Sequence, residues 1–364
     1  NKHMKTIPIL TAILLIFTSA CTTNKNLQQS AKTNPTAKIH FSKNVELFGY
    51  LIQLAEPEAH DPNHPITQIL AQGADDINNP AVQSIYEVGG HLPYETFVKL
   101  FYALPEFQLT ETYTFTTEIL SRQGITTEEE LETIKTLLGH VNQFYQTSKF
   151  EQVWTQLEPH RQSTLELLAG NLPSTALLQQ VEDFYQQEFT GYEVVPSLTI
   201  WSGPGWGFQT PKGKEKIATF ILGPLEPNFN YADGARFENL AIHEFGHSFV
   251  NHVVLGTVGE QITQTEALFE PVREAMAPQG YQNWETCVIE HFVRAGEVLI
   301  PELMGDAAAS QVALTRHTES SSFIYLPFIV DQLRAYRVEQ DLSYEEAVRK
   351  TMDDLRETVM EGKE

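Results

Sequence analysis

Three observations predict an α+β fold that is mainly helical, with a small twisted sheet lying over one buried helix. Apolar side chains recur at helical spacing over residues 43–189 and again beyond residue 254. Two runs rich in β-branched and aromatic residues, 194–201 and 216–223, interrupt that texture after Gly191. Beyond the second run, residues 241–250 are apolar nearly all round yet carry His243, Glu244 and His247, the pattern HExxH. A helix buried inside a domain seldom holds three ionisable groups in five positions unless something satisfies them.

From the start of the chain, Lys5 precedes an apolar run over residues 7–17, and Thr18, Ser19 and Ala20 lead to Cys21. A charged residue, an apolar stretch too short for an ordinary membrane span and small residues before a cysteine resemble a bacterial lipoprotein signal. Residues 1–20 are the expected signal peptide, although Thr18 stands where an aliphatic residue is usual, and plain secretion is the alternative. Residues 21–42, polar beyond the cysteine, read as a lipid anchor and flexible tether. The expectation is an exported protein of the bacterial cell envelope whose sole membrane attachment is lipidated Cys21. The formal net charge of −23 argues against nucleic acid as a partner. With Cys21 in the anchor, Cys287 has no disulfide partner and reads as a small buried residue.

The remaining roughly 320 residues permit one large domain or two intimate lobes. Residues 43–189 are expected to form a mainly helical N-terminal lobe. Helices are predicted over 45–54 and 95–104, from a capping box at Thr126 or Thr127 with Glu129 or Glu130, and from Ser174 to Phe189. His60 and His64 flank Pro62 in a loop and are not expected to be a site. Residues 190–364 are expected to form the catalytic lobe. There Pro196 suits an edge strand, and residues 202–207 read as a glycine-rich loop. Further helices are expected over 263–276, with a break at Pro271 as the alternative, and over 283–300, 322–338 and 343–360, the last from a capping box of Ser343 and Glu346.

The two imidazoles of HExxH lie one helical turn apart on one face and can address one ion, while Glu244 can reach a water beside that ion without binding it. This points to Zn²⁺ held by His243, His247 and a third ligand, with Glu244 as general base. Val250 and Val253 stand where a metzincin needs Gly and His. Glu266, 19 residues after His247, and Glu290 compete as third ligand. Glu290 is preferred because it sits in an otherwise apolar helix, whereas Glu266 has capping-box spacing from Thr263. Arg294 could support Glu290 from one turn away. Tyr325, Tyr231 and His317 are candidate donors to an oxyanion, with Tyr325 favoured. An exposed strand edge could take a peptide or protein substrate as an added strand.

The residues 243–251, reading HEFGHSFVN, and 290–295, reading EHFVRA, resemble a family of bacterial exported proteins grouped with the glutamate-ligand zincins, or gluzincins. The resemblance implies a zincin-like zinc metallopeptidase domain and supports Glu290 over Glu266 as third ligand.

Overall fold

The computed structural model describes residues 34–56, 67–89, 92–107, 120–121, 124–200, 205–212, 214–224, 233–339 and 342–361. Residues 34–364 form one compact unit. The expected signal, Cys21, most of the tether, His60, His64 and Tyr231 lie outside the described residues. Among the described residues, no helix is long and apolar enough to cross a membrane.

Helix α1 (Lys43–Ala55) starts at Ser42, whose hydroxyl accepts the Val45 N–H. It packs among α2 (Pro80–Gly89), α3 (Tyr94–Ala103), α4 (Glu128–Thr147) and α5 (Phe150–Gln156). Of the two box spacings in the sequence, Thr127 with Glu130 is the one that caps α4. These helices bury Phe48, Leu51, Phe101, Leu138 and Phe144 in one core. Helices α6 (Glu158–Ala169) and α7 (Thr175–Tyr185) follow. Leu168, Leu177, Val181 and Tyr185 join a second core, built around the histidine-bearing helix. The two cores interleave along the chain, because Val195, Leu198, Ile200 and Ile221 belong to the first.

Between the cores runs a mixed sheet of four described strands in the order β1-β2-β4-β3. They are β1 (Ala37–Ile39), β2 (Gly191–Pro196), β3 (Gly205–Lys212) and β4 (Glu215–Leu222). Strand β2 runs parallel to β1 and β4, while β3 pairs antiparallel with β4. Side-chain alternation divides the sheet. Val194, Phe220 and Leu222 face the second core, and Val195 and Ile221 face the first.

Three expectations are corrected here. Residues 37–39 are a sheet strand rather than tether, and the glycine-rich loop is in part strand β3. Pro196 lies in an inner strand, contrary to its expected edge position. The sheet tolerates it because the Ser197 N–H bonds the β4 carbonyl of Leu222, so by alternation Pro196 faces the β1 side, beyond the last β1 partner at Ile39.

The second core surrounds α8 (Gly234–Thr257) and α9 (Trp284–Leu303). Asp233 caps α8 by accepting the Arg236 N–H, and Asn283 caps α9 by accepting the Thr286 N–H. Between them the expected helix over 263–276 is broken into short turns, and Thr263 sits inside the helix Gly259–Gln264 instead of capping one. The chain then forms α10 (Ala307–Thr315), a π-helical turn (Arg316–Ser320), α11 (Leu326–Glu339) and α12 (Tyr344–Glu361). Helix α12 starts with the expected Ser343 and Glu346 box.

One acid ties α1 to the segment after β2, within the first core and away from the cleft. Glu46 of α1 is fully buried; its Oε1 accepts the Leu198 N–H at 2.7 Å, and its backbone carbonyl accepts the Thr199 hydroxyl. Among the described residues its Oε2 has no hydrogen-bond partner. Burial outweighs the bonds it accepts and pushes the carboxyl up to about 7. Since the fold prefers the protonated form, Glu46 costs no stability below about pH 4.5, where both states are neutral, and lowers stability as pH rises toward 7. In urea unfolding, Glu46→Gln should match the wild type near pH 4.5 and exceed it by roughly 3 kcal/mol at pH 8. A gap that stays constant with pH would mean that Glu46 titrates normally.

Candidate metal centre

Helix α8 is buried along most of its length, including Phe237, Ala241, Phe245 and Phe249, and this fixes its rotation against the sheet. His243 and His247, one turn apart, both turn toward α9, with Nε2 atoms 3.3 Å apart. Glu290 on α9 meets them: its Oε1 lies 3.4 Å from His247 Nε2 and its Oε2 lies 3.7 Å from His243 Nε2. Among the described residues this is the group of three whose donor atoms could hold a metal ion, all lying within 4.8 Å of one another. A tetrahedral zinc site with bonds near 2.0–2.1 Å has ligand-to-ligand edges of about 3.3–3.4 Å. The three separations fit such an ion with little adjustment, and the imidazoles, 13–14 % exposed, keep an approach from solvent.

Both rings are held from behind. His243 Nδ1–H donates to Glu297 Oε1 at 2.7 Å, and His247 Nδ1–H donates to Asn251 Oδ1 at 3.0 Å. These bonds fix the tautomer that leaves each Nε2 lone pair facing Glu290. Tyr281 donates its hydroxyl to Glu290 Oε2 at 3.2 Å, and Arg294 Nη2 donates to the Tyr281 oxygen at 2.8 Å. The Arg294 guanidinium lies 3.5 Å from both Glu290 and Glu297, with the Phe323 ring beneath it.

Charges follow from these contacts. Burial alone would raise Glu290, but His247, His243 and Arg294 overcome it and lower its carboxyl below the usual range. Burial of Glu297 is likewise outweighed, by His243 and His317, which hold it well below. Burial disfavours the His243 cation, yet its bond to Glu297 and the nearby acids raise it to about 9. His247 is lowered, chiefly by burial. A cation bound there would compete with the His243 proton, so uptake would release it.

Glu244 stands apart from the donor cluster. It is buried beside β3, and burial with Glu290 nearby pushes its carboxyl up to about 7. The close fit depends on glycine. A Cβ at Gly205 would stand 2.5 Å from the Glu244 carboxylate, and one at Gly207 would stand 1.6 Å from the Glu244 carbonyl oxygen. Gln209, next on the same face of β3, donates to the Ser248 carbonyl. The opposite face of β3 sets Trp206 against Tyr94 and Phe208 against Tyr102. A cleft of about 960 Å³ opens over the cluster, with Glu95, Asn239, Tyr281, Arg294, Arg316 and Ser321 in its walls.

The structure brings His243, Glu244, His247 and Glu290 together. Glu266 is exposed at the start of the turn Glu266–Phe269 and is absent from the cleft wall. His291 is fully buried on another face and donates Nδ1–H to the Cys287 carbonyl. Tyr325, the favoured oxyanion donor, is a correction. Packing against Trp284 and His291 draws it behind the site, and its hydroxyl donates to the Leu268 carbonyl. Among the described residues, Tyr281 is the tyrosine in the cleft wall. His317, a second candidate donor, instead gives Nε2–H to Glu297 Oε2 at 3.0 Å. Glu297 escaped the sequence reading. Its signal was its place seven residues after Glu290 in an apolar helix, two turns along the same face.

Neither the curated proteins nor the solved structures contain a match to this chain. Residues 108–346, more than half of the chain and including every member of the cluster, match the family described as "Domain of unknown function (DUF4932)". The protein belongs to the DUF4932 family.

Proposed function

We propose that this protein is a zinc-dependent hydrolase of peptide bonds, a gluzincin-like metallopeptidase. The observation that carries the reading is a buried carboxylate, Glu244, left outside a converging set of two imidazole nitrogens and one carboxylate. A purely structural metal site closes on four protein ligands and needs no base. His243, His247 and Glu290 would hold Zn²⁺, which when bound supplies Lewis acidity and lowers the pKa of water toward neutrality. Glu244 would take the proton of the attacking water and deliver it to the leaving amine. Glu297 and Asn251 keep both rings in the tautomer that binds metal. Tyr281, held by Arg294 in the cleft wall, would donate to a developing oxyanion by turning its hydroxyl away from Glu290 Oε2.

Strand β3 supports an extended peptide as substrate. It is an edge strand of the sheet, and its glycine face crosses α8 at Glu244. A peptide added to that edge would bond through its main chain and bring a carbonyl to the donor cluster. The lysine, the apolar run and Cys21 add an exported, lipid-tethered setting to the reading.

The test is metal analysis with hydrolysis of a mixed peptide library. About one zinc per chain is expected, with cleavage lost on chelation and restored by zinc. Zinc bound without hydrolysis of peptides, esters or amides would leave a binding protein instead.

A further inference from the structure

One charged group of the cleft is unexplained by the chemistry above. Arg316 opens the π-helical turn Arg316–Ser320, a rare geometry that recurs at functional sites. Its Nη2 donates to Glu297 Oε2 at 3.1 Å, and its side chain remains 46 % exposed in the cleft wall. Nη1 and Nε have no hydrogen-bond partner among the described residues. Glu297 does not need this arginine for neutrality, because it already accepts from His243 and His317 and lies 3.5 Å from Arg294. The ion pair thus fixes one corner of a planar fork and leaves its other donors facing the cleft. Such a fork is the side chain best matched to a carboxylate.

We infer that Arg316 determines specificity by receiving a carboxylate of the substrate, so that the cleft selects peptides with an acidic group near the cut. The inference rests on the metallopeptidase reading and names its substrate class. Arg316 is joined to His243 through the single carboxylate of Glu297. An extended chain advances about 3.3 Å per residue, so the carboxylate would lie within about three residues of the cleaved bond. It would belong either to an Asp or Glu side chain or to a free C-terminus.

The experiment uses alanine heptapeptides, each with one Glu or the matching Gln at a different position, with the C-terminus free or amidated. Two readouts are taken with the zinc-loaded full chain: cleavage by mass spectrometry, and equilibrium binding to the Glu244→Gln variant, which should not cleave. The preference for one Glu position, or for the free C-terminus, should fall about tenfold in Arg316→Gln and be partly restored in Arg316→Lys. The amidated set distinguishes the two carboxylate sources. Cleavage with the same preference in both chains would overturn the inference and leave the peptidase reading standing. Absent cleavage with Arg316-dependent binding of the acidic peptides would do the reverse, and absence of both would remove both. Loss of zinc or of melting temperature in Arg316→Gln, unrelieved in Arg316→Lys, would reduce Arg316 to a structural partner of Glu297 and overturn the inference.

Discussion

Glu244→Gln should lower the rate of peptide hydrolysis by about 10²–10⁴-fold while the bound zinc stays at the wild-type level. The amide is nearly isosteric with the acid, so it fits the space that the carboxylate occupies against Gly205. It cannot accept a proton from water, and it lies outside the donor cluster, so metal content should not change. The pH profile gives a second check. Glu244 must be ionised to act, and in the metal-free chain burial holds its carboxyl at about 7. A bound dication favours the carboxylate, so the acid limb of the wild-type profile should lie at or below pH 7. An active Glu244→Gln with unchanged kcat would remove this residue from the chemistry.

Glu297→Ala should weaken zinc binding by about 10–100-fold and destabilise the metal-free chain by about 3–5 kcal/mol. Glu297 bonds the far ring nitrogen of His243 and not the Nε2 that faces the cluster, so the first effect would act through the orientation of His243. The second arises because Arg294 would keep Glu290 alone as a nearby counter-charge, while His243, His317 and Arg316 would lose the carboxylate to which they donate. Zinc titration against a competing chelator and urea unfolding without metal measure the two effects separately. Wild-type affinity in a stably folded Glu297→Ala would show that His243 needs no support from behind.

The parts of this molecule that were legible in its sequence are those in which chemistry and periodicity coincide. His243, Glu244 and His247 stand out because three ionisable groups interrupt a helix that is otherwise apolar. Glu290 stands out for the same reason on α9. Strand β3 was obscured because Gly205 and Gly207 imitate a loop, although Trp206 and Phe208 alternate with them at the strand period. The glycines are there for the close crossing over α8, a tertiary requirement that no local pattern reveals. Strand β1 is three residues long and borrows its conformation from β2, so its own composition reads as linker. Tyr325 and Tyr281 are equally plausible on chemical type, and packing against Trp284 decides between them.

The sheet's double allegiance sets a limit on how small this protein can be made. The residues matching the family begin at 108, yet α3, which lies earlier, covers the side of β3 that carries Trp206 and Phe208 through Tyr94 and Tyr102. A chain trimmed to the matched segment would keep His243, Glu244, His247 and Glu290 while stripping one wall from the strand that crosses above them. Its aromatic side would lie open to water, and the crossing that seats Glu244 would rest on one layer in place of two. Conserving the reactive groups is thus separate from conserving the scaffold that aims them, and an excised fragment of this kind should be sticky and misaligned.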